Sequence, residues 1–167
     1  RIQGAYKTAH TAIDPFYSTS GQGRARAAGM SGGSGWTHSS FMNNIIEVGF
    51  GGKKGFSMAL QGIADEAAGQ DGSFLGNVKF STDNMAVFGA VSNKTTEGND
   101  KDSTNWKLGG QYSMGNLKVG LQYENAEMDT IDGGNGEYVM GSVAYGLGKI
   151  TLAGWVSGYM ADADNND

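Results

Sequence analysis

The sequence predicts an all-β fold, a transmembrane antiparallel β-barrel, and three observations carry this prediction. Segments of near-regular alternation between apolar and polar residues run from about Phe41 to Met160. The connections between them alternate strictly between short and long. Tight turns at one edge and long loops at the other are typical of barrels in an outer membrane. Strands of about 9 to 11 residues also match the tilted span of a bilayer better than the usual globular strand.

Composition supports strands and excludes several other classes. A single domain, residues 1–167, is expected, and 29 glycines with one proline and 10% aromatic residues favour strands joined by tight turns. No run approaches the roughly 18 to 20 apolar residues of a membrane-spanning helix. The absence of cysteine excludes a disulfide framework. A net charge of −5 argues against nucleic-acid binding.

The first element is a short strand followed by a long segment without alternation. Arg1, Gln3, Ala5 and Lys7 alternate with apolar or small residues, which predicts a strand with a basic face. Residues 8–40 are mostly small and polar. A loop of that length inside a compact domain requires a role of its own, such as a lid or a plug.

About eight strands follow in order. In each, large apolar residues occupy one face, and polar or small residues occupy the other. The strands are predicted at about 42–50, 56–62, 74–81, 85–91, 106–114, 117–124, 139–145 and 150–160. The short connections are 51–55, 82–84, 115–116 and 146–149. The long connections are 66–72, 93–104, 127–136 and the acidic end from 161.

Aromatic residues cluster near both ends of the predicted strands. Those beside short turns are Phe50, Phe56, Phe80, Tyr112 and Tyr145. Those beside long loops are Phe41, Phe74, Trp106, Tyr123 and Tyr138. This distribution predicts two aromatic girdles at the membrane–water interfaces.

Charged residues are divided between loops and strand faces. Most acids lie in the predicted long loops, whereas the polar strand faces are richer in bases. A row of bases on inward-facing strands would form a positive wall in a water-filled lumen, and carboxylates of an inserted loop opposite it would set a transverse field. The alternative is that these lysines only keep a solvated sheet face soluble. The candidate pore-lining residues are Arg1, Lys7, Asp14, Arg24, Arg26, Glu47, Lys79, Lys107, Lys118 and Glu124.

No catalytic or metal-binding motif is evident. His10 and His38 have no nearby cysteine or carboxylate cluster, and the acidic runs 99–102 and 162–167 lack the glycine and distal glutamate of a calcium loop. No nucleophile–base arrangement or phosphate-binding loop is found, so an enzyme is not expected. We expect no cofactor and no bound metal, apart from loosely held divalent cations that bridge acidic loops to lipopolysaccharide.

A family resemblance lies in the first 35 residues. The run Arg1-Ile2-Gln3, followed by Tyr6, His10, the segment AIDPF at 12–16 and a glycine-rich tail, resembles a strand and the third extracellular loop of Gram-negative general porins. Asp14-Pro15-Phe16 stands where the enterobacterial loop carries Pro-Glu-Phe.

This resemblance implies a porin of the outer membrane. The parent barrel would have about 16 strands, a size that leaves an aqueous channel for passive diffusion of small hydrophilic solutes and ions. The loop at 8–40 would fold into the barrel and narrow it, and three copies would form a homotrimer. Within this loop, Arg24 and Arg26 either pair with Asp14 to hold the loop against the wall or are ordinary exposed residues, and both alternatives remain open. The chain opens without a signal peptide and stops in a loop-like run, so we expect it to be an internal portion of a longer polypeptide.

Two other hypotheses remain open at this point. A small eight-stranded outer-membrane barrel would act as an anchor or adhesin, and large apolar residues on the inner face would favour it. A soluble β-sandwich would bind carbohydrate or calcium through acidic loops, and it predicts that the apolar faces are buried in protein.

Overall fold

The described residues form one antiparallel sheet. The computed structural model describes residues 2–7, 41–63, 73–94, 103–128 and 135–161, with backbone only for 2–7, 41–45 and the single positions 63, 73, 75, 92, 94, 103, 105, 126, 128 and 161. The nine strands are β1 (Ile2–Lys7), β2 (Phe41–Gly51), β3 (Gly55–Ile63), β4 (Ser73–Ser81), β5 (Met85–Lys94), β6 (Ser103–Met114), β7 (Leu117–Met128), β8 (Gly136–Leu147) and β9 (Ile150–Ala161). Each strand pairs with the next in the chain, so the order is β1 to β9. The predicted strands, including the short one at the start, are confirmed.

The described strands are long, and the sheet that they form is open. The strands from β2 onward have 9 to 12 residues, slightly longer than the alternation alone indicated. The sheet is not closed, because β1 and β9 form its two edges. No described helix is long and apolar enough to cross a membrane.

All short turns lie at the same edge of the sheet. They occupy 52–54, 82–84, 115–116 and 148–149, whereas 8–40, 64–72, 95–102 and 129–135 connect strands at the opposite edge. Gly115 and Gly148 have φ of 58° and 63°, which lets a two-residue turn close. The turn at 82–84 instead uses a side chain, since the Met85 N–H donates to Thr82 Oγ1 at 3.1 Å. The predicted sorting of turns by strand parity is confirmed.

Large apolar side chains are exposed along one face of the sheet. Val48 and Val156 are 71% and 73% exposed, and every strand from β2 to β9 carries at least two exposed large hydrophobic residues. A soluble sandwich would pack this face against protein, and contiguous exposed patches of this extent are rare in soluble monomers. This exposure contradicts what the β-sandwich hypothesis predicts.

The exposed apolar face has a polar border at the edge of the long connections. On β6 it runs from Met114 to Trp106, a distance of eight residue steps or about 26 Å at about 3.3 Å each. The next position, Thr104, accepts a hydrogen bond from Asn93 Nδ2 at 3.1 Å and lies opposite Glu127. This height is comparable to the apolar band of about 25 Å on outer-membrane barrels.

The most buried apolar side chains lie on the opposite face. Tyr138 and Met140 form a small core, and Phe88, Trp155 and Tyr159 pack against it. The prediction that Tyr138 belongs to an interface girdle is wrong, because it lies opposite Glu124 on the polar face and is almost fully buried. Its nearness to a strand end did not decide which face it occupies.

Candidate pore-lining face

The polar face of the sheet carries five of the predicted site residues. Strand alternation and register place Glu47, Lys79, Lys107, Lys118 and Glu124 on this one face, opposite the exposed apolar side chains. Only the backbone of Lys7 is described, and it pairs with Phe41. Arg1, Asp14, Arg24 and Arg26, together with the rest of the predicted loop at 8–40, lie outside the described residues.

Lys107 and Glu124 form the most deeply buried charged pair of positions. They lie directly opposite each other on β6 and β7, and each is 1% exposed. Lys107 Nζ also lies 6.0 Å from the centroid of the Phe88 ring, which favours a cation. Charges this deep require compensation, and opposite charges at facing positions supply it.

Two further predicted lysines of the face are more accessible. Lys79 is half-buried and Lys118 is exposed. Ser57 Oγ donates a long hydrogen bond of 3.5 Å to the backbone oxygen of Lys79. Lys79 and Lys118 are therefore the described bases of this face that water reaches.

Glu47 is held by a neighbour that the sequence analysis missed. Gln61 Nε2 donates to Glu47 Oε2 at 2.6 Å, and the two residues lie opposite each other on β2 and β3. Gln61 is almost fully buried. The signal was present, since an uncharged amide at the partner position of a carboxylate is a ready donor.

The polar face has two halves of different character. From β2 to β5 its positions hold mostly small residues, namely Gly49, Ser57, Ala59, Asn77, Ser81, Ala86 and Ala90. From β7 to β9 it also holds bulkier side chains, namely Gln122, Glu124, Tyr138, Met140, Trp155 and Tyr159. The sequence analysis weighed only the charged residues and therefore missed the amide and aromatic groups.

Gln122 has an amide without hydrogen bonds. The residue is 1% exposed, and neither Nε2 nor Oε1 has a hydrogen-bond partner. Gln111 Oε1 is likewise buried without a partner. No group of three or more metal-ligating side chains occurs among the described residues.

A comparison with models of protein families identifies the family of this chain. The model of the Gram-negative porins matches residues 1–167, the whole chain. The chain belongs to the Gram-negative porin family. Searches of the curated proteins and of the solved structures found no match.

Membership of this family explains why the two faces of the sheet differ in polarity. Gram-negative porins are channels of the outer membrane, so this chain is an outer-membrane protein with a porin-like β-barrel fold. Along the strands of such barrels, side chains alternate between lipid and lumen. The exposed apolar face suits lipid, which agrees with the resemblance found in the sequence.

Proposed function

We propose that this porin forms a water-filled channel for passive diffusion of small hydrophilic solutes and ions, with the polar face as its wall. The observation that carries the proposal is that the sheet exposes its large apolar side chains, which a soluble protein would bury. Large apolar side chains such as Val48 and Val156 are exposed, while Lys79, Lys107 and Glu124 lie on the other face. Charges on one wall of a lumen sort solutes by charge without any reaction.

The accessible lysines favour passage of anions. Lys79 and Lys118 add positive charge to the wall, whereas Lys107 faces Glu124 and adds little net field. In the same proposal, residues 8–40 narrow the channel, with Asp14, Arg24 and Arg26 at the constriction beside Arg1 and Lys7. The porin assembles as a homotrimer in contact with lipopolysaccharide, and it needs no cofactor.

Ion selectivity in planar lipid bilayers tests the proposal. The double variant Lys79→Glu, Lys118→Glu should shift the reversal potential in a salt gradient toward cations, because four unit charges change on the wall. Lys53→Glu is the control, since Lys53 is exposed in the turn between β2 and β3, away from the wall. Equal reversal potentials for the double variant and the native porin would remove these lysines from the conducting path.

One observation favours the second candidate, a small barrel filled by side chains that serves as an anchor or adhesin. The cluster of Phe88, Tyr138, Met140, Trp155 and Tyr159 places large apolar groups on the inner face, as a filled lumen would. This candidate predicts that the protein inserts into bilayers without any stepwise rise in current. Discrete conductance steps would exclude it.

A further inference from the structure

We infer that the part of the wall formed by β7, β8 and β9 contains a binding site for a neutral saccharide. The inference rests on the proposed function, because the site is useful only if this face lines a channel that solutes enter. Its central residues are Gln122, Trp155 and Tyr159. The lysines select solutes by charge, and this site would in addition select among uncharged solutes.

The amide of Gln122 provides the first observation. A buried side-chain amide without partners is rare in folded proteins, and it indicates a group that accepts and donates to it. Gln111 and Gln122 are diagonal neighbours on β6 and β7. Gln122 lies directly opposite Gly109, and Gln111 lies directly opposite Gly120. The unpaired atoms together offer one amino group and two carbonyl oxygens. A ligand that both donates and accepts, such as a hydroxyl group, satisfies this set.

Aromatic rings on the same face, two strands from the amide, provide the second observation. Trp155 and Tyr159 lie four residues apart on the same face of β9, about 13 Å along the strand. Both are partly exposed, and Tyr138 lies opposite Tyr159. Rings that combine an apolar face with a polar tip suit the C–H face and the hydroxyl groups of a sugar.

Serine hydroxyls complete the polar part of the site. Ser142 lies opposite Trp155, and Ser157 lies in the same transverse row as Met140 and Gln122. The row from Gln111 through Gly120 and Ser142 to Trp155 crosses three inter-strand spacings, about 14 Å. A ligand seated on this row therefore has hydrogen-bonding groups on one side and an aromatic ring on the other.

The chemistry of the central residues suits a neutral ligand. Gln111, Gln122 and the two serines are uncharged, and Lys107 and Glu124 face each other in the row beyond Gln122. Lys118 is diagonal to Gln111 across β6 and β7, so the site borders one of the lysines that act on ions. The contacts that select a solute at the site itself are therefore hydrogen bonds and ring contacts rather than a net charge.

Met140 is the cross-strand neighbour of Gln122. It lies between Gln122 and Ser157 in the register and is fully buried. Its unbranched side chain changes rotamer easily, so it can turn aside when a hydroxyl group approaches Gln122. That hydroxyl group then supplies the partners that the amide lacks.

Current block by sugars in planar bilayers tests the inference. Maltose added to the native porin should reduce the ion current in a saturable way, whereas a polyethylene glycol of similar size should reduce it only in proportion to concentration. Gln122→Leu and Trp155→Leu should each raise the half-blocking maltose concentration at least about tenfold, the loss expected for one good contact. Lys53→Gln, in the exposed turn, should leave it unchanged.

The possible outcomes are distinct. Native porin that conducts ions but shows no saturable block by maltose overturns the saccharide site and leaves the channel intact, whereas absence of any ion current overturns the proposed function. Saturable block by uridine but not by maltose assigns the site to nucleosides and also overturns the inference. If Gln122→Leu fails to insert, Gln122→Asn keeps the amide on a shorter stem and should show a weaker block. Equal block by native porin and Gln122→Asn contradicts the role of the amide.

Discussion

At the scale of single residues, Lys107 and Glu124 show how burial and register combine. Each is 1% exposed, and they face each other on β6 and β7. Removing one partner of a buried charged pair typically costs about 3 to 5 kcal/mol, because the other charge stays buried without it. We expect Lys107→Met and Glu124→Gln each to lower the unfolding free energy strongly, and the double variant to cost less than their sum.

A double-mutant cycle measured by urea unfolding in lipid vesicles checks this coupling. Lys118→Met is the matched control, because Lys118 is exposed on the same face and its loss should cost little. Strictly additive costs for the two buried residues would show that they do not interact.

Gln61 offers a second prediction at this scale. Its amide donates to Glu47 at 2.6 Å, and hydrogen bonds to a charged group contribute about 1.5 to 3 kcal/mol. We expect Gln61→Leu to destabilise the protein by about that amount in the same unfolding assay. Ser57→Ala serves as the control, since its hydrogen bond is 3.5 Å long and its loss should be small. Similar effects of both substitutions would contradict the importance of the carboxylate contact.

At the scale of strands, Phe88 on β5 packs across β6. A Cβ atom added at Gly109 would lie 2.5 Å from Phe88 Cζ and 3.1 Å from the backbone oxygen of Leu121. Gly109→Ala should therefore cost about 1 to 3 kcal/mol, as overpacking does. Gly154→Ala is the control, because an added Cβ there meets nothing within 4 Å.

The packing explanation can be separated from a backbone effect with a second substitution. Phe88→Leu removes the ring, so Gly109→Ala should cost less in that background when melting temperatures are compared. An unchanged cost would place the strain in the backbone near Leu121 instead.

Strands and turns could be predicted from the sequence because each depends on local signals. Two-residue alternation gave the strands from β2 to β9, and Gly115 and Gly148 marked tight turns. Alternation with the exposed Val143 already places Tyr138 on the other face, but the girdle prediction used only its position near a strand end. The unpaired amide of Gln122 depends on neighbouring strands, which a single strand does not reveal. The candidate site was therefore predicted where charge marked it and missed where neutral side chains build it.

At the scale of the whole molecule, two tryptophans lie on opposite faces of the sheet. Trp106 is on the exposed apolar face, beside Tyr123 at a ring-centroid distance of 5.2 Å, and Trp155 is on the polar face. In vesicles with brominated acyl chains, a variant that keeps only Trp106 should lose most of its fluorescence, because bromine quenches groups in contact with lipid. A variant that keeps only Trp155 should lose little, and stronger quenching of Trp155 would reverse the assignment of the faces.

The two edges of the sheet differ in how freely their sequences can change over time. At the edge with short turns, Gly115 and Gly148 fix the pairing of neighbouring strands, so an added residue shifts one strand and turns its side chains to the wrong face. At the opposite edge, the connections at 64–72 and 95–102 are long enough to gain or lose residues without such a shift. On outer-membrane barrels the long connections are extracellular, so the length of the sequence can vary outside the cell while the pairing of the strands is kept.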